Sequence, residues 1–204
     1  YLKIGGVEAL RDLKDALDLG VDGLIAPMVE SPFGVVKFVD AVESIFGKRK
    51  LFKSINIETQ GSVENINEIL EIAKDKIDNI TIGRTDLSQS YFDDSVKPDS
   101  PFILDLIEKL SDKIQASGMN LTVGGSVNKE SIRLLNERRS RIEGRMSSIE
   151  TRKVILPVDQ MLGKEKALFQ SLRFEELYLR FKLECEAWLS RADHERLAKL
   201  KTRI

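Results

Sequence analysis

Much that would mark a function is scarce in this sequence. Of its 204 residues only Cys185 is a cysteine, so no intramolecular disulfide can form and the chain suits a reducing compartment, the cytoplasm. Histidine also occurs once: His194 stands among Arg191, Asp193, Glu195 and Arg196, where it reads as a solvated helix residue rather than a catalytic acid or base. No apolar stretch approaches the roughly 20 residues that span a bilayer. Residues 1–5 carry no signal-peptide pattern and read as the middle of a strand. Neither charge sign dominates, since 32 Lys and Arg stand against 33 Asp and Glu. No general attraction to nucleic acid or to a membrane surface is therefore expected. The basic cluster Arg138, Arg139, Arg141 and Arg145 has no interleaved aromatics for base stacking and reads as a solvated loop or helix end. The first strand is not followed by a Gly-x-Gly-x-x-Gly, which weakens a dinucleotide-binding reading.

What is present is a globular alternation. Hydrophobic content of 42% with 32% charged residues fits a folded chain with a core and argues against disorder. Short apolar runs predict strands at residues 2–4, 23–27, 53–57, 79–82, 120–123 and 149–156. Amphipathic patterns predict helices at 7–19, 33–46, 63–76, 102–117 and 129–136. Six strands alternating with helices point to a parallel α/β sheet. The pattern suits an open sheet or a barrel, because ligands bind at strand carboxyl ends in both. From Val158 to Ile204 strand signals stop. There Phe174, Leu177, Phe181, Cys185, Trp188 and Ala192 form a helical stripe of nearly heptad spacing. It reads as a helix covering the main body or a neighbouring subunit, with a coiled-coil partner as the alternative.

Two acidic residues stand out. Glu58 follows Ser54-Ile55-Asn56-Ile57, and Asp86 follows Ile80-Thr81-Ile82-Gly83 after Arg84-Thr85. The helical pattern between these runs makes them a strand–helix–strand unit with parallel strands. Such neighbours lie about 4.8 Å apart, so both carboxylates emerge at one edge. Two close carboxylates repel, and a divalent cation with a preference for oxygen relieves the conflict.

Four stretches carry a family resemblance: Leu2-Lys3-Ile4-Gly5-Gly6, Leu24-Ile25-Ala26-Pro27-Met28-Val29-Glu30-Ser31, Ile55-Asn56-Ile57-Glu58-Thr59 and Ile82-Gly83-Arg84-Thr85-Asp86-Leu87-Ser88. Over about residues 1–156 the chain resembles the HpcH/HpaI aldolase and citrate lyase β-subunit family, relatives of the phosphoenolpyruvate-binding barrels. The resemblance implies a (β/α) TIM-type barrel over residues 1–157, with a C-terminal helical extension over 158–204. A complete barrel has eight strands, so the six predicted ones lead us to expect that its first two βα units are lacking. It also implies that Glu58 and Asp86 bind Mg2+ or Mn2+ and, through it, a pyruvate-like enolate.

The remaining candidates follow from that frame. Asn56, two residues before Glu58, orients a bound water or is a polar interior residue. Lys3 stands where the family frequently has Arg, and stabilises the enolate unless it is a plain surface lysine; a Schiff-base role is a further option. Gly124-Gly125 is an anion-approach loop or a simple turn. Arg84 reaches a substrate carboxylate or is merely solvated. Glu30 bonds Lys3 or the substrate, and Arg152 faces inward to an anion or outward to a partner subunit. The family's acid/base histidine has no counterpart in the matching stretches, so the base is expected upstream of Tyr1 or as a metal-bound water. Three functions stay open: a metal-dependent lyase or aldolase on a 2-oxo or hydroxy acid, a citrate-lyase-like enzyme cleaving acyl-CoA, and a non-catalytic barrel for binding or assembly. Family likeness also implies a homo-oligomer.

Overall fold

Serine followed by proline opens two of the long helices. In the computed structural model, which describes residues 1–191 together with 194, 195 and 198, the elements run as follows. First come β1 (Leu2–Lys3), α1 (Leu10–Asp18), β2 (Gly23–Ala26), α2 (Pro32–Phe46), β3 (Phe52–Ile57), α3 (Gln60–Glu64), α4 (Ile66–Ala73), β4 (Asn79–Gly83) and α5 (Arg84–Gln89). Then follow α6 (Pro101–Ala116), β5 (Asn120–Gly124), α7 (Lys129–Glu137), α8 (Arg139–Ile142), β6 (Ser148–Glu150), β7 (Ile155–Pro157), α9 (Val158–Leu162) and α10 (Glu165–Leu189). At α2 the Ser31 hydroxyl accepts the Gly34 N–H at 3.2 Å, with Pro32 in the first turn where its missing N–H costs nothing. Ser100 and Pro101 do the same for α6.

The seven strands make one curled sheet in sequence order, parallel from β1 through β6. Two expectations need correction. The run 149–156 is a hairpin: the Thr151 N–H donates to the Val154 carbonyl at 2.8 Å, and β7 returns antiparallel so that Ile149 pairs with Leu156. Thr151-Arg152-Lys153 is too polar to continue a strand whose Ile149 is fully buried. The helix at 63–76 is two helices, broken at Asn65, whose side chain donates instead to the Glu30 carbonyl at 2.9 Å.

Strand alternation sorts side chains between two faces. On the outer face Ile55, Ile57, Ile80, Ile82, Leu121, Val123 and Ile149 are fully buried in the core with helical residues such as Phe38, Ile69, Ile103 and Ile107. Each buried branched side chain contributes about 1.5–3 kcal/mol. The inner face is polar, and the register lays it out in rows. Ser54, Asn79 and Asn120 form one; Asn56, Thr81, Thr122 and Ser148 form the next. Asn79 ties them together, donating to Ser54 at 2.8 Å and to Thr81 at 3.1 Å while accepting from Thr122 at 3.0 Å. Where a closed eight-stranded barrel fills its interior with branched apolar side chains, this sheet carries a hydrogen-bonded polar layer.

In the tail, α9 packs on β6, β7 and α7, and Met161, Leu162 and Leu168 are buried. Farther along α10, Phe174, Leu177, Phe181 and Trp188 are exposed. They belong to the expected stripe; its last member, Ala192, lies outside the described residues. Among the described residues no helix is long and apolar enough to cross a membrane.

Candidate active site

A third row crosses the carboxyl ends of the same strands. Because Ile57 pairs with Ile82, Gly83 with Gly124 and Val123 with Ile149, the order across the sheet is Glu58, Gly83, Gly124, Glu150. The two glutamates lean over the two glycines. A Cβ on Gly83 would stand 2.5 Å from Glu58 Oε2 and 3.0 Å from Glu58 Cβ, and one on Gly124 would stand 3.2 Å from Glu150 Cβ. Gly83 leaves room that no side chain can occupy. This row forms the floor of a cavity of about 640 Å³, lined also by Lys3, Asn56, Asp86, Arg152 and Lys153.

Glu58 is 2% exposed and fully engaged. Its Oε1 accepts the Met28 N–H at 3.0 Å and its Oε2 accepts the Asn56 amide N–H at 3.0 Å. Lys3 Nζ lies 3.8 Å from Oε2. Met28 reaches this position with φ of 52°, a left-handed conformation that costs a non-glycine residue about 1 kcal/mol or more. Asp86 comes from the first turn of α5, where a helix amino end favours a carboxylate. The loop beneath it is tightly interlocked. A Cβ on Gly125 would stand 2.6 Å from the Thr85 nitrogen, and Gly125 adopts φ of +87°, so only glycine suits this turn.

Arg84 does the interlocking, and here the structure departs from expectation. Its side chain is fully buried: Nε donates to the Gly124 carbonyl at 3.0 Å, Nη2 to the Gly125 carbonyl at 2.8 Å, and Nη1 pairs with Asp99. It straps the end of β4 to the end of β5 and is not on the cavity wall. Burial pulls the guanidinium below its usual value while Asp99 opposes that pull.

Two buried oxygens at the floor have no hydrogen-bond partner among the described residues, Asn56 Oδ1 and Glu150 Oε2. Asn56 spends its N–H on Glu58, so its carbonyl oxygen is left over. Burial pushes the Glu150 carboxyl above the usual carboxylate range; Lys3 pulls it back and Glu58 pushes it further. The donor set facing the cavity is thus carboxylate and amide oxygen, which suits hard divalent ions such as Mg2+ or Mn2+. Among the described residues no three His, Cys, Asp or Glu side chains converge as a metal cluster. Glu58 and Asp86, with the orphaned Asn56 oxygen nearby, match the one or two carboxylates by which Mg2+ is usually held, the rest coming from substrate and water.

The family model for HpcH/HpaI aldolase/citrate lyase matches residues 6–122. The chain belongs to that family. Solved structures agree on the fold. An HpcH/HpaI aldolase/citrate lyase family protein from Burkholderia cenocepacia J2315 superposes with TM-score 0.56 at 14% identity, covering 87% of this chain and 72% of that one. An HpcH/HpaI aldolase from Desulfitobacterium hafniense DCB-2 gives 0.57 at 15% identity, covering 87% and 70%. A citrate lyase from Burkholderia xenovorans LB400 gives 0.58 at 13% identity, covering 73% and 52%. No curated protein sequence matches the chain. Membership of the HpcH/HpaI family supports a lyase-type function.

Of the residues singled out in the sequence, Lys3, Asn56, Glu58, Asp86 and Gly124 line one cavity. Glu30 is exposed and off the cavity wall, with its carbonyl accepting from Asn65. Arg152 lines the rim in the β6–β7 turn. His194 is exposed on the tail, its Nδ1 2.8 Å from the Ser190 carbonyl. Three of the basic cluster pair with α6, Arg138 with Asp105 and Glu108, Arg141 with Glu108 and Arg145 with Asp112, while Arg139 meets Asp159 of α9. Glu150 escaped the sequence reading. Its signal was the repeated pattern Asn56-Ile57-Glu58 and Ser148-Ile149-Glu150, polar–Ile–Glu at two strand ends.

Proposed function

We propose that the chain is a divalent-metal-dependent carbon–carbon lyase or aldolase acting on a 2-oxo acid or related hydroxy acid through a pyruvate-type enolate. The observation that supports it most is Glu58: a buried carboxylate fixed by two N–H donors beside a lysine, in one cavity with Asp86. Glu58 and Asp86 would hold Mg2+ or Mn2+, which, when bound, supplies Lewis-acid relief of the negative charge on the enolate oxygens. Lys3, its ammonium 3.8 Å from Glu58, adds a second positive charge on the same side. Asn56 Oδ1 accepts from a bound water or substrate hydroxyl, and Gly124, without a side chain, lets the substrate lie close to the strand end. In this reading the curled sheet is the larger arc of a phosphoenolpyruvate-type barrel, which its six parallel strands in sequence order support.

A citrate-lyase-like cleavage of acyl-CoA is the second reading. Arg152 and Lys153 at the cavity rim favour it, since cations there suit the phosphates of such a substrate. Self-association through α10 and residence in the cytoplasm complete the proposal, supported by the exposed Phe174, Phe181 and Trp188 and by the single cysteine. Thermal denaturation with and without MgCl2 or MnCl2 tests the site. Either salt should raise the melting temperature of the wild type and leave the Glu58→Ala/Asp86→Ala double variant unmoved. An equal rise in both would remove the site and favour a non-catalytic barrel.

A further inference from the structure

Within the described residues, the lyase reading so far assigns no group to the proton of the substrate's hydroxyl. Lys3 faces Glu58, and Glu58 has both oxygens engaged. At the far end of the same row Glu150 offers a carboxylate that nothing in the described residues satisfies at Oε2. It lines the cavity, and the row places it across Gly83 and Gly124 from Glu58, each glycine giving its neighbouring glutamate room to lie inward. A buried carboxylate oxygen without a donor is costly unless a ligand supplies one. The donor that fits is a hydroxyl of a molecule whose other end lies at Glu58 and Lys3.

We propose that Glu150 is the residue that accepts the substrate's carbinol hydroxyl and takes its proton when the carbon–carbon bond breaks. The proposal rests on the lyase reading above. For a 4-hydroxy-2-oxo acid the C3–C4 bond breaks and its electron pair becomes the enolate, whose negative charge faces Lys3. The hydroxyl's O–H pair becomes the new carbonyl π bond at C4, and the proton moves to the Glu150 carboxylate. Glu150 then releases that proton to solvent while C3 of the enolate takes one from solvent, so the products are an aldehyde and a 2-oxo acid with no net gain or loss. Glu175, on α10, also lines the cavity and is the rival for this role.

Two probes separate the steps in the full chain with Mg2+ or Mn2+. 4-Hydroxy-2-oxopentanoate must lose a hydroxyl proton to be cleaved; oxaloacetate reaches the same enolate by losing carbon dioxide and has no such hydroxyl. Glu150→Gln should lower cleavage of the first at least ~100-fold, as loss of a general base does, and keep decarboxylation of the second within about threefold of wild type. Calorimetric binding gives an independent readout: the wild type and Glu150→Gln should both prefer 4-hydroxy-2-oxopentanoate to 2-oxopentanoate, whereas Glu150→Ala should lose the preference. Glu175→Gln should match wild type in every assay. Unchanged cleavage in Glu150→Gln, equal loss of both reactions in it, or transfer of the cleavage defect to Glu175→Gln would each overturn the assignment. A wild type that decarboxylates oxaloacetate yet never cleaves the hydroxy acid overturns it while leaving the lyase reading standing. A wild type that does neither and shows no metal-dependent stabilisation overturns both.

Discussion

Glu58 and Glu150 end the same row of the sheet, each beside a glycine, yet their surroundings differ. Glu58 is held by a backbone N–H, an amide and a lysine, and Met28 adopts a left-handed backbone to provide one of these. Among the described residues Glu150 Oε2 has no partner, and burial pushes its carboxyl upward. A carboxylate held by donors keeps its place, which is what a ligand needs; one without a donor at a buried oxygen favours gaining a proton, which is what a base needs. In the proposed roles, similar side chains at equivalent strand ends are set to different work by what surrounds them.

The contrast depends on a shared floor, and breaking the floor should have the largest effect. Arg84→Met removes the strap between the glycine loop and α5 and takes a donor from Asp99 and from the Pro98, Gly124 and Gly125 carbonyls. Equilibrium unfolding should show a loss of about 3–5 kcal/mol, as when one member of a buried ion pair is removed. Next comes the charge that belongs to the Glu58 end. Lys3→Met should leave stability nearly unchanged, because this lysine is half exposed. It should lower turnover of either probe on the order of 100-fold, the usual cost of losing a group aimed at developing negative charge. Gly83→Ala then attacks Glu58 through space alone. Its new methyl would meet Glu58 at 2.5 Å, costing about 1–3 kcal/mol by overpacking and removing the Mn2+ response. Gly124→Ala, with its nearest contact at 3.2 Å, should cost less, which calorimetry of the pair would show.

The smallest effect concerns the Glu150 end by itself. Its folded carboxyl holds a proton more tightly than the unfolded chain does, so the stability it contributes is present at low pH and lost as the pH rises through the folded value. Metal-free Glu150→Gln and wild type should therefore melt together below the unfolded carboxyl range. Above it the variant should become the more stable of the two, a gap read from melting temperatures across pH.

The sequence made some of this visible. Strand alternation around Ile55, Ile57, Ile80 and Ile82 marks two neighbouring parallel strands, which puts Glu58 and Asp86 at one edge. Arg84 read as a substrate-carboxylate or solvated residue because it is a charge beside an acidic motif, and only the packing of distant carbonyls and Asp99 around it shows otherwise. The run 149–156 is apolar at both ends, and reading it as one strand put Glu150 inside that strand. As the last residue of a short β6 it stands at the cavity edge instead. The break at Asn65 depends on a carbonyl 35 residues away, which periodicity cannot register.

The most direct test of the central claim follows the enolate itself. Pyruvate is incubated in deuterium oxide with the wild-type chain, and loss of its methyl proton signal is followed by NMR, with Mg2+ or with a chelator. Exchange should require the metal and disappear in both Glu58→Ala and Asp86→Ala. Exchange that ignores the metal, or none above the protein-free rate, would contradict it.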